Sequence, residues 1–433
     1  MRIAIVGSGV SGLVAAHLLH REHEVTVFEA RDRIGGHVNT IDLPRDDGGT
    51  ERVDTGFIVY NEPNYPHFSR LLDRLGVETQ PSDMSFSVRC DHTGLEYNGS
   101  TIRQLFAQPR NVLRPSFHRM LLDILRFNRE AAPAVENGAG GMTLGEYVAS
   151  AGYSEGLSTH YLEPMGSALW SVPRSRVLEM PAAFFVRFFE NHGMLTVDDR
   201  PQWRVVRGGS NRYVERLVAP FRDRIRTSAP VRRIVRVSSG ASTPRTGAPG
   251  GAEAGQPGPP GAVDVDGERF DHVVLACHSD QALRLLADAT PGEREILGAL
   301  PYQANDVVLH TDDSVLPRRR RAWGAWNYHL TGDADAPATV TYNMNVLQTL
   351  SAPRTYCVTL NGAESVDPAR VLYRTTYHHP VYTEAGFAAQ ARHAEISRLD
   401  RRTHFCGAYW GYGFHEDGTR SAVRVAEAFG VAP

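Results

Sequence analysis

The sequence predicts an α/β chain of two joined domains, one built around a parallel sheet and one of mixed α+β character. Three observations carry this. About the first thirty residues read strand, helix, strand; residues from about 101 to 193 are helix-rich; and alternating apolar segments between about 307 and 376 read as an antiparallel sheet. At 433 residues the chain is also too long for one simple core. An apolar fraction of 42%, a charged fraction of 22% and a net charge of -3 describe an ordinary globular protein with no general attraction to nucleic acid.

Arg2 to Val6 is a short apolar run, Ser11 to His20 has helical spacing, and Glu24 to Glu29 alternates. Together they form a βαβ unit. Phe68, Leu71, Leu72 and Leu75 predict a helix over Asn64 to Leu75. The helix-rich stretch should break at Pro115, at Gly138 to Gly141 and between Pro164 and Pro173. Within it, the arginines and leucines from Arg110 to Arg129 suit either a helix packed on its own core or one lying on a membrane surface. Strands are expected at Val231 to Val237 and His272 to Ala276, with the Gly/Pro/Ala-rich stretch Ser238 to Gly261 between them as a disordered insertion. Thr403 to Gly430 reads as strand, glycine loop and helix.

No run of eighteen or more apolar residues occurs and no leader pattern precedes Arg2, so neither a membrane span nor a signal peptide is expected and the cytoplasm is the default location. The four cysteines (Cys90, Cys277, Cys357, Cys406) lack metal-binding spacing and read as reduced packing residues; no metal site is expected. His378-His379 has no third ligand and reads as structural. All 46 basic residues are arginine, so no mechanism can use lysine.

The chemistry begins at Gly7-Ser8-Gly9-Val10-Ser11-Gly12, a G-x-G-x-x-G run directly after the first strand and opening the first helix. Gly7 serves the tight turn, Gly9 the approach of a pyrophosphate to the backbone, and Gly12 close packing of helix on strand. The helix N-terminus offers unpaired N–H groups and positive dipole. Glu29 ends the next strand, where an acid can hold both ribose hydroxyls of an adenosine. Only one such fingerprint occurs, so no nicotinamide site is expected.

Glu29-Ala30-Arg31-Asp32-Arg33-Ile34-Gly35-Gly36-His37 continues without a break, and here the sequence resembles the FAD-dependent amine oxidase and phytoene desaturase superfamily. The resemblance implies a Rossmann-like FAD-binding domain of glutathione reductase type and an amine oxidase-like substrate domain. It implies that Ala30, Arg31, Gly35 and Gly36 line the FAD, with His37 standing where the family often has arginine. Asp54-Thr55-Gly56-Phe57 resembles a loop at the ribityl chain, which assigns Thr55, Gly56 and Phe57 to the cofactor. Val231 opens a strand resembling the one that contacts adenine. Phe405-Cys406-Gly407 and Glu416-Asp417-Gly418 resemble the element that closes over the flavin, which adds Gly407, Asp417 and Gly418. A helix starting near Gly418 would stabilise negative charge on reduced flavin. The implied domain division is 1–80, 200–305 and 396–433 for FAD, with 81–199 and 306–395 for substrate. Non-covalent FAD is expected.

A closer resemblance is to a bacterial NAD/FAD-binding oxidoreductase branch of that superfamily encoded beside cyclopropane-fatty-acid synthases, on segments such as Pro164-Met165-Gly166-Ser167-Ala168-Leu169-Trp170-Ser171 and Gly411-Tyr412-Gly413-Phe414-His415-Glu416. It implies a fatty acyl or isoprenoid substrate. Many amine oxidases of the superfamily use a lysine near the flavin, which this chain lacks. Phe184, Phe185, Phe188, Phe189, Trp323, Trp326 and Tyr342 suit an apolar chain better than an ammonium group, though core packing explains them equally. Trp326, Tyr342 and Asn343 are the substrate candidates. Tyr409, Trp410, Tyr412 and His415 are the catalytic candidates, because they lie between two flavin-contacting elements and include groups able to move a proton. Desaturation of a lipid-like substrate is the leading expectation, with oxygen or another acceptor taking the electrons and peripheral membrane contact as an option. Amine or amino acid oxidation, redox-neutral double-bond isomerisation and a non-catalytic flavin-bearing lipid carrier are the alternatives.

Overall fold

The computed structural model describes residues 1–45, 47–196, 200–238 and 260–432. The chain divides into two compact units, one formed by Met1–Val38, Tyr213–Pro301 and Ala385–Pro433, the other by Asn39–Arg212 and Tyr302–Glu384.

The first unit is organised by a five-stranded parallel sheet in the order Ile225–Arg226, Glu24–Phe28, Arg2–Val6, His272–Leu275, Thr403–Phe405. Ile3 pairs with Val25 on one side and His272 on the other. Ile3, Ile5, Val25, Val27, Val273 and Leu275 are all buried, as expected of strands covered on both faces. Helix Val10–Leu19 supplies the crossover between the first two strands and packs against the C-terminal helix His415–Ala428. A three-stranded antiparallel sheet (Ile234–Ser238, Pro260–Val265, Glu268–Phe270) completes the unit's sheets. Its first strand begins at Ile234, three residues later than expected. Asp266 takes the N–H groups of Arg232 (2.9 Å) and Arg233 (2.8 Å), which keeps Val231 in a loop before the strand. Residues 239–259, the greater part of the expected disordered insertion, lie outside the described residues.

The second unit contains a seven-stranded sheet in the order Val371–Pro380, Tyr302–His310, Cys357–Leu360, Val340–Asn343, Trp326–Leu330, Phe86–Cys90, Glu96–Asn98. It is antiparallel except where Trp326–Leu330 meets Phe86–Cys90 in parallel. Residues 39–80 and 200–212 fall in this unit rather than with the dinucleotide fold, and residues 385–395 fall in the other. Trp203–Val206 hydrogen-bonds to both Val59–Asn61 and Thr79–Pro81, and Leu43, Val53, Ile58 and Val205 share one buried cluster with Val307, Leu309 and Val358 of the seven-stranded sheet, which holds these segments to the second unit. Pro115 begins a long helix, Pro115–Glu136, instead of interrupting one, because a first-turn proline lacks only an N–H that the helix would not use. Among the described residues no helix is long and apolar enough to cross a membrane.

Candidate functional site

In the first unit the residues singled out by sequence converge on the first turn of helix Val10–Leu19. Gly7 has φ +108°, and a Cβ there would lie 2.7 Å from the carbonyl oxygen of Ala276. A Cβ on Gly12 would overlap the carbonyl oxygen of Gly7, whereas one on Gly9 would meet nothing within 4 Å. Two glycines are thus enclosed by protein and the middle one faces open space. Glu29 accepts hydrogen bonds from the N–H (3.1 Å) and hydroxyl of Ser8 through one oxygen, and from the N–H of Arg31 (2.8 Å) through the other. Ala30 is exposed between them.

Gly35 and Gly36 have φ of +108° and +61°. The N–H of Gly35 donates to the carbonyl of Ser8 (2.9 Å), and a Cβ on Gly36 would sit 3.0 Å from Gly9 Cα. Arg33, a residue the sequence reading left without a role, clamps this turn by donating to the carbonyls of Gly36 (2.9 Å) and Val38 (3.2 Å). His37 is half-buried, its ring 6.4 Å from that of His278.

The C-terminal element arrives at the same place. A Cβ on Gly418 would lie 2.7 Å from Val10 Cγ1 and 2.8 Å from Ser11 Oγ, and the Cys406 thiol donates to the Ser11 carbonyl at 3.7 Å. Two helix N-termini therefore meet, since the C-terminal helix starts at His415 and not near Gly418. Asp417, expected among the cofactor contacts, has both oxygens turned to its own surroundings: one accepts from the N–H groups of Tyr412 (3.0 Å) and Phe414 (3.0 Å), the other from Arg420. Burial pushes its carboxyl up to about 6 against those stabilising partners. It folds the Gly411–Phe414 loop. Burial likewise pushes the Cys406 thiol up to about 12, which leaves it protonated and poorly nucleophilic.

The catalytic candidates separate into two pairs. Tyr409 and Trp410 are buried, and Gln390 donates to the carbonyls of Tyr409 (2.8 Å) and Gly411 (2.7 Å), so these two rings anchor the turn. Tyr409 also covers Gly407, where any Cβ would overlap its ring. Trp410 stands edge-on to His393 at 4.6 Å, and its buried Nε1 has no hydrogen-bond partner among the described residues. Tyr412 and His415 are half-buried instead. His415 Nε2 lies 3.1 Å from the hydroxyl of Tyr213, and desolvation pushes the imidazole down to about 3, so it is neutral at physiological pH. Tyr213 was not legible as a site residue, being 202 positions away in sequence.

These residues fit a dinucleotide. Open ground beside Gly9 admits a pyrophosphate, and the paired helix N-termini favour negative charge. Glu29 accepts three bonds of about four that a carboxylate can take, leaving capacity for a ribose hydroxyl.

The remaining candidates belong to the second unit. Thr55 is buried, its hydroxyl 3.0 Å from Tyr377 Oη and from the Asn39 carbonyl. Gly56 follows, and Phe57 stands edge-on to Phe68 at 5.3 Å. Beside them Asp54 accepts from Thr40 Oγ1 (2.6 Å), from Ser210 N–H (2.9 Å) and hydroxyl (2.8 Å), and from Gln348 (3.1 Å). Burial nevertheless pushes its carboxyl up to about 6. Asp54 thereby holds the turn at Gly208-Gly209-Ser210. Trp326 and Tyr342 pair across adjacent strands, edge to face at 5.0 Å, and both are partly buried against the core. Asn343 is buried and caps helix Met344–Leu347, accepting from the N–H of Val346 at 3.4 Å, so its side chain serves the backbone. His379 Nδ1 lies 3.1 Å from Asn305 Nδ2, and no group of metal-ligating side chains assembles among the described residues.

The family model described as flavin containing amine oxidoreductase matches residues 10–354. The AofH protein of Mycobacterium tuberculosis, assigned as a flavin-containing monoamine oxidase, is 29% identical over 58% of this chain and 55% of its own length. Carotenoid phi-ring synthase of Streptomyces griseus is 25% identical over 73% of this chain and 59% of its own. The chain thus spans about half the length of the curated relatives it matches. Among solved structures, a CLA-producing fatty acid isomerase from P. acnes superposes with TM-score 0.68 (15% identity, 99% of this chain and 98% of that one). Cyclohexylamine oxidase from Brevibacterium oxydans superposes with TM-score 0.66 (18% identity, 99% of each chain). At these identities the superpositions show the fold alone.

Proposed function

The chain belongs to the flavin containing amine oxidoreductase family, and from that premise we propose that it dehydrogenates or desaturates a hydrophobic, lipid-like substrate by transferring hydride to non-covalently held FAD. The observation that carries this reading is the chemistry of the sheet bearing the substrate candidates. Its three adjacent strands Trp326–Leu330, Val340–Asn343 and Cys357–Leu360 contain no Asp or Glu, and Trp326 and Tyr342 present aromatic rather than anionic surface. An apolar chain needs such a wall. FAD, when bound, supplies a two-electron acceptor. The chain's own contribution is to cradle phosphate on the Gly7–Gly12 turn, to hold Gly35-Gly36 through Arg33, and to set a neutral His415 within hydrogen-bond reach of the Tyr213 hydroxyl, where burial keeps the imidazole uncharged.

Two other readings have support. Carotenoid phi-ring synthase and the fatty acid isomerase act, by their names, on apolar molecules, and the second favours redox-neutral double-bond isomerisation. The likeness to cyclohexylamine oxidase and the capacity of aromatic faces to receive a cation favour amine oxidation. Anaerobic titration with unsaturated acyl lipids and with amines, following the oxidised flavin band near ~450 nm, separates them. Bleaching by a lipid is expected. Bleaching by amines alone would refute the proposal, and product formed without lasting bleaching would assign isomerisation.

A further inference from the structure

Helix Pro115–Glu136 buries Phe117, Met120, Asp123, Phe127, Ala131 and Val135, which settles one of its faces as core. The opposite face is unusual. Leu122 and Leu125 are 64% and 52% exposed, and the segment before the helix adds Ile102 at 77%, Val112 at 52% and Leu113 at 85%. Five of the ten exposed large hydrophobic residues recorded among the described residues thus fall within 24 positions. Single exposed leucines need no explanation, whereas a cluster does.

The cluster is continuous. The ring of His118 bonds the carbonyl of Val112 at 2.8 Å, which sets the Pro109–Leu113 turn on the first turn of the helix. Positions 118, 122 and 125 then follow along one helical face. Phe106 links back, with its ring 5.9 Å from His118 and its N–H on the carbonyl of Ile102 (3.1 Å).

The charge around it is predominantly positive. Residues 102–130 hold six arginines against two acids, Asp123 and Glu130, a net of four positive charges in a chain whose total is -3, with Glu130 paired to Arg126 and Arg129 at 2.8 Å each. Asp123 is buried and bonded by Arg119 at 3.1 Å. The short helix Ile102–Leu105 packs against the turn Arg320–Ala322, which ends the run Arg318-Arg319-Arg320-Arg321, four consecutive exposed arginines. The N–H groups of Arg318 and Arg319 are fixed on the Glu96 carboxylate at 3.0 and 3.1 Å, so the run is tied to the fold through its backbone.

We propose that this face of the second unit docks on an anionic lipid bilayer. Exposed leucine, valine and isoleucine enter the boundary between headgroups and acyl chains, and the arginines meet the anionic headgroups around them. A nucleic acid would accept the arginines and give the leucines nothing to contact. The proposal does not rest on the substrate reading, since adsorption is measured without turnover.

The test is flotation of the full-length, flavin-loaded protein with vesicles of phosphatidylcholine alone and of phosphatidylcholine mixed with phosphatidylglycerol. Binding is expected to the mixed vesicles, weakened by salt and reduced about fivefold for each arginine removed in R318Q and R319Q. L113D and L122D should each lose about tenfold or more, while L399D, an exposed leucine of the other unit, should float like the parent chain. All five side chains are exposed, and unchanged melting of each variant checks its fold. Absence of flotation on the anionic vesicles overturns the proposal, and so does equal binding to phosphatidylcholine alone. Undiminished flotation of L113D and L122D would also overturn it, because the arginines alone would then account for vesicle binding.

Discussion

Gly12→Ala and Gly9→Ala should have opposite signatures although they lie three residues apart in one motif. A Cβ at Gly12 overlaps the Gly7 carbonyl oxygen and lies 3.0 Å from its carbon and 3.1 Å from Ala276 Cβ. Two of those atoms are backbone, so relief requires moving the turn away from the helix or away from strand His272–Leu275. Overpacking of this kind costs about 3 kcal/mol, offset by about 1 kcal/mol from replacing glycine inside a helix. With an unfolding entropy of about 2.1 cal/mol/K per residue, the net loss of about 2 kcal/mol corresponds to roughly 2 °C in melting temperature for a chain of 433 residues. Gly9 has φ of -70°, which any residue adopts, and its Cβ would meet no protein atom. Gly9→Ala should leave the flavin-free protein within about 0.5 kcal/mol of the parent while flavin is lost on gel filtration. Melting of stripped and reconstituted protein, with the flavin-to-protein absorbance ratio, reads both effects. If stripped Gly12→Ala melts with the parent, or if Gly9→Ala destabilises the stripped protein and keeps its flavin, the reasoning from enclosed and open glycines is refuted.

Asp54→Asn tests the raised carboxyl in the second unit. Because burial lifts the folded pKa to about 6 from 3.8, the protonated form is favoured by folding; stability is greatest below about 4 and falls as pH rises through 6. The difference in unfolding free energy between parent and variant should therefore move by roughly 3 kcal/mol across that window, and a flat difference in urea titrations would refute it. His404→Asn probes the opposite sign. His404 lies 3.3 Å from His272, and burial pushes them down to about 3 and about 4, so both are neutral in the fold and cost stability as pH falls below the ordinary value of 6.5. The variant should show a shallower acid loss in the same titrations; an unchanged acid limb would count against the pair. Arg33→Ala removes the clamp on Gly36 and Val38 and should raise the flavin dissociation constant about tenfold, read by fluorescence quenching, with little change in the melting of stripped protein.

Some of this was legible in one dimension. The first βαβ unit and its glycine turn were, because the strand, the turn and the helix are contiguous and each glycine answers to atoms a few residues away or to an adjacent strand. The start of the C-terminal helix at His415 was missed by three residues, since the loop's own Asp417 fixes it by bonding Tyr412 and Phe414. Asn343 looked like a substrate ligand because a cap and a ligand are the same side chain seen without its neighbours.

The sequence by itself determined that a dinucleotide-binding turn opens the chain, that lysine takes part in nothing, and that an antiparallel sheet follows a helical stretch, because these depend on local periodicity and residue type. Only the tertiary structure decided that residues 39–80 leave the dinucleotide fold for the second unit, through the buried cluster that joins Leu43, Val53 and Ile58 to Val307, Leu309 and Val358. It alone set Tyr213 against His415 across 202 positions, joined two helix N-termini through the bare Cα of Gly418, and left Leu113, Leu122 and Arg318–Arg321 facing solvent. Periodicity shows that a helix has two faces; which face finds a partner depends on chain segments hundreds of residues apart, and no local pattern records that.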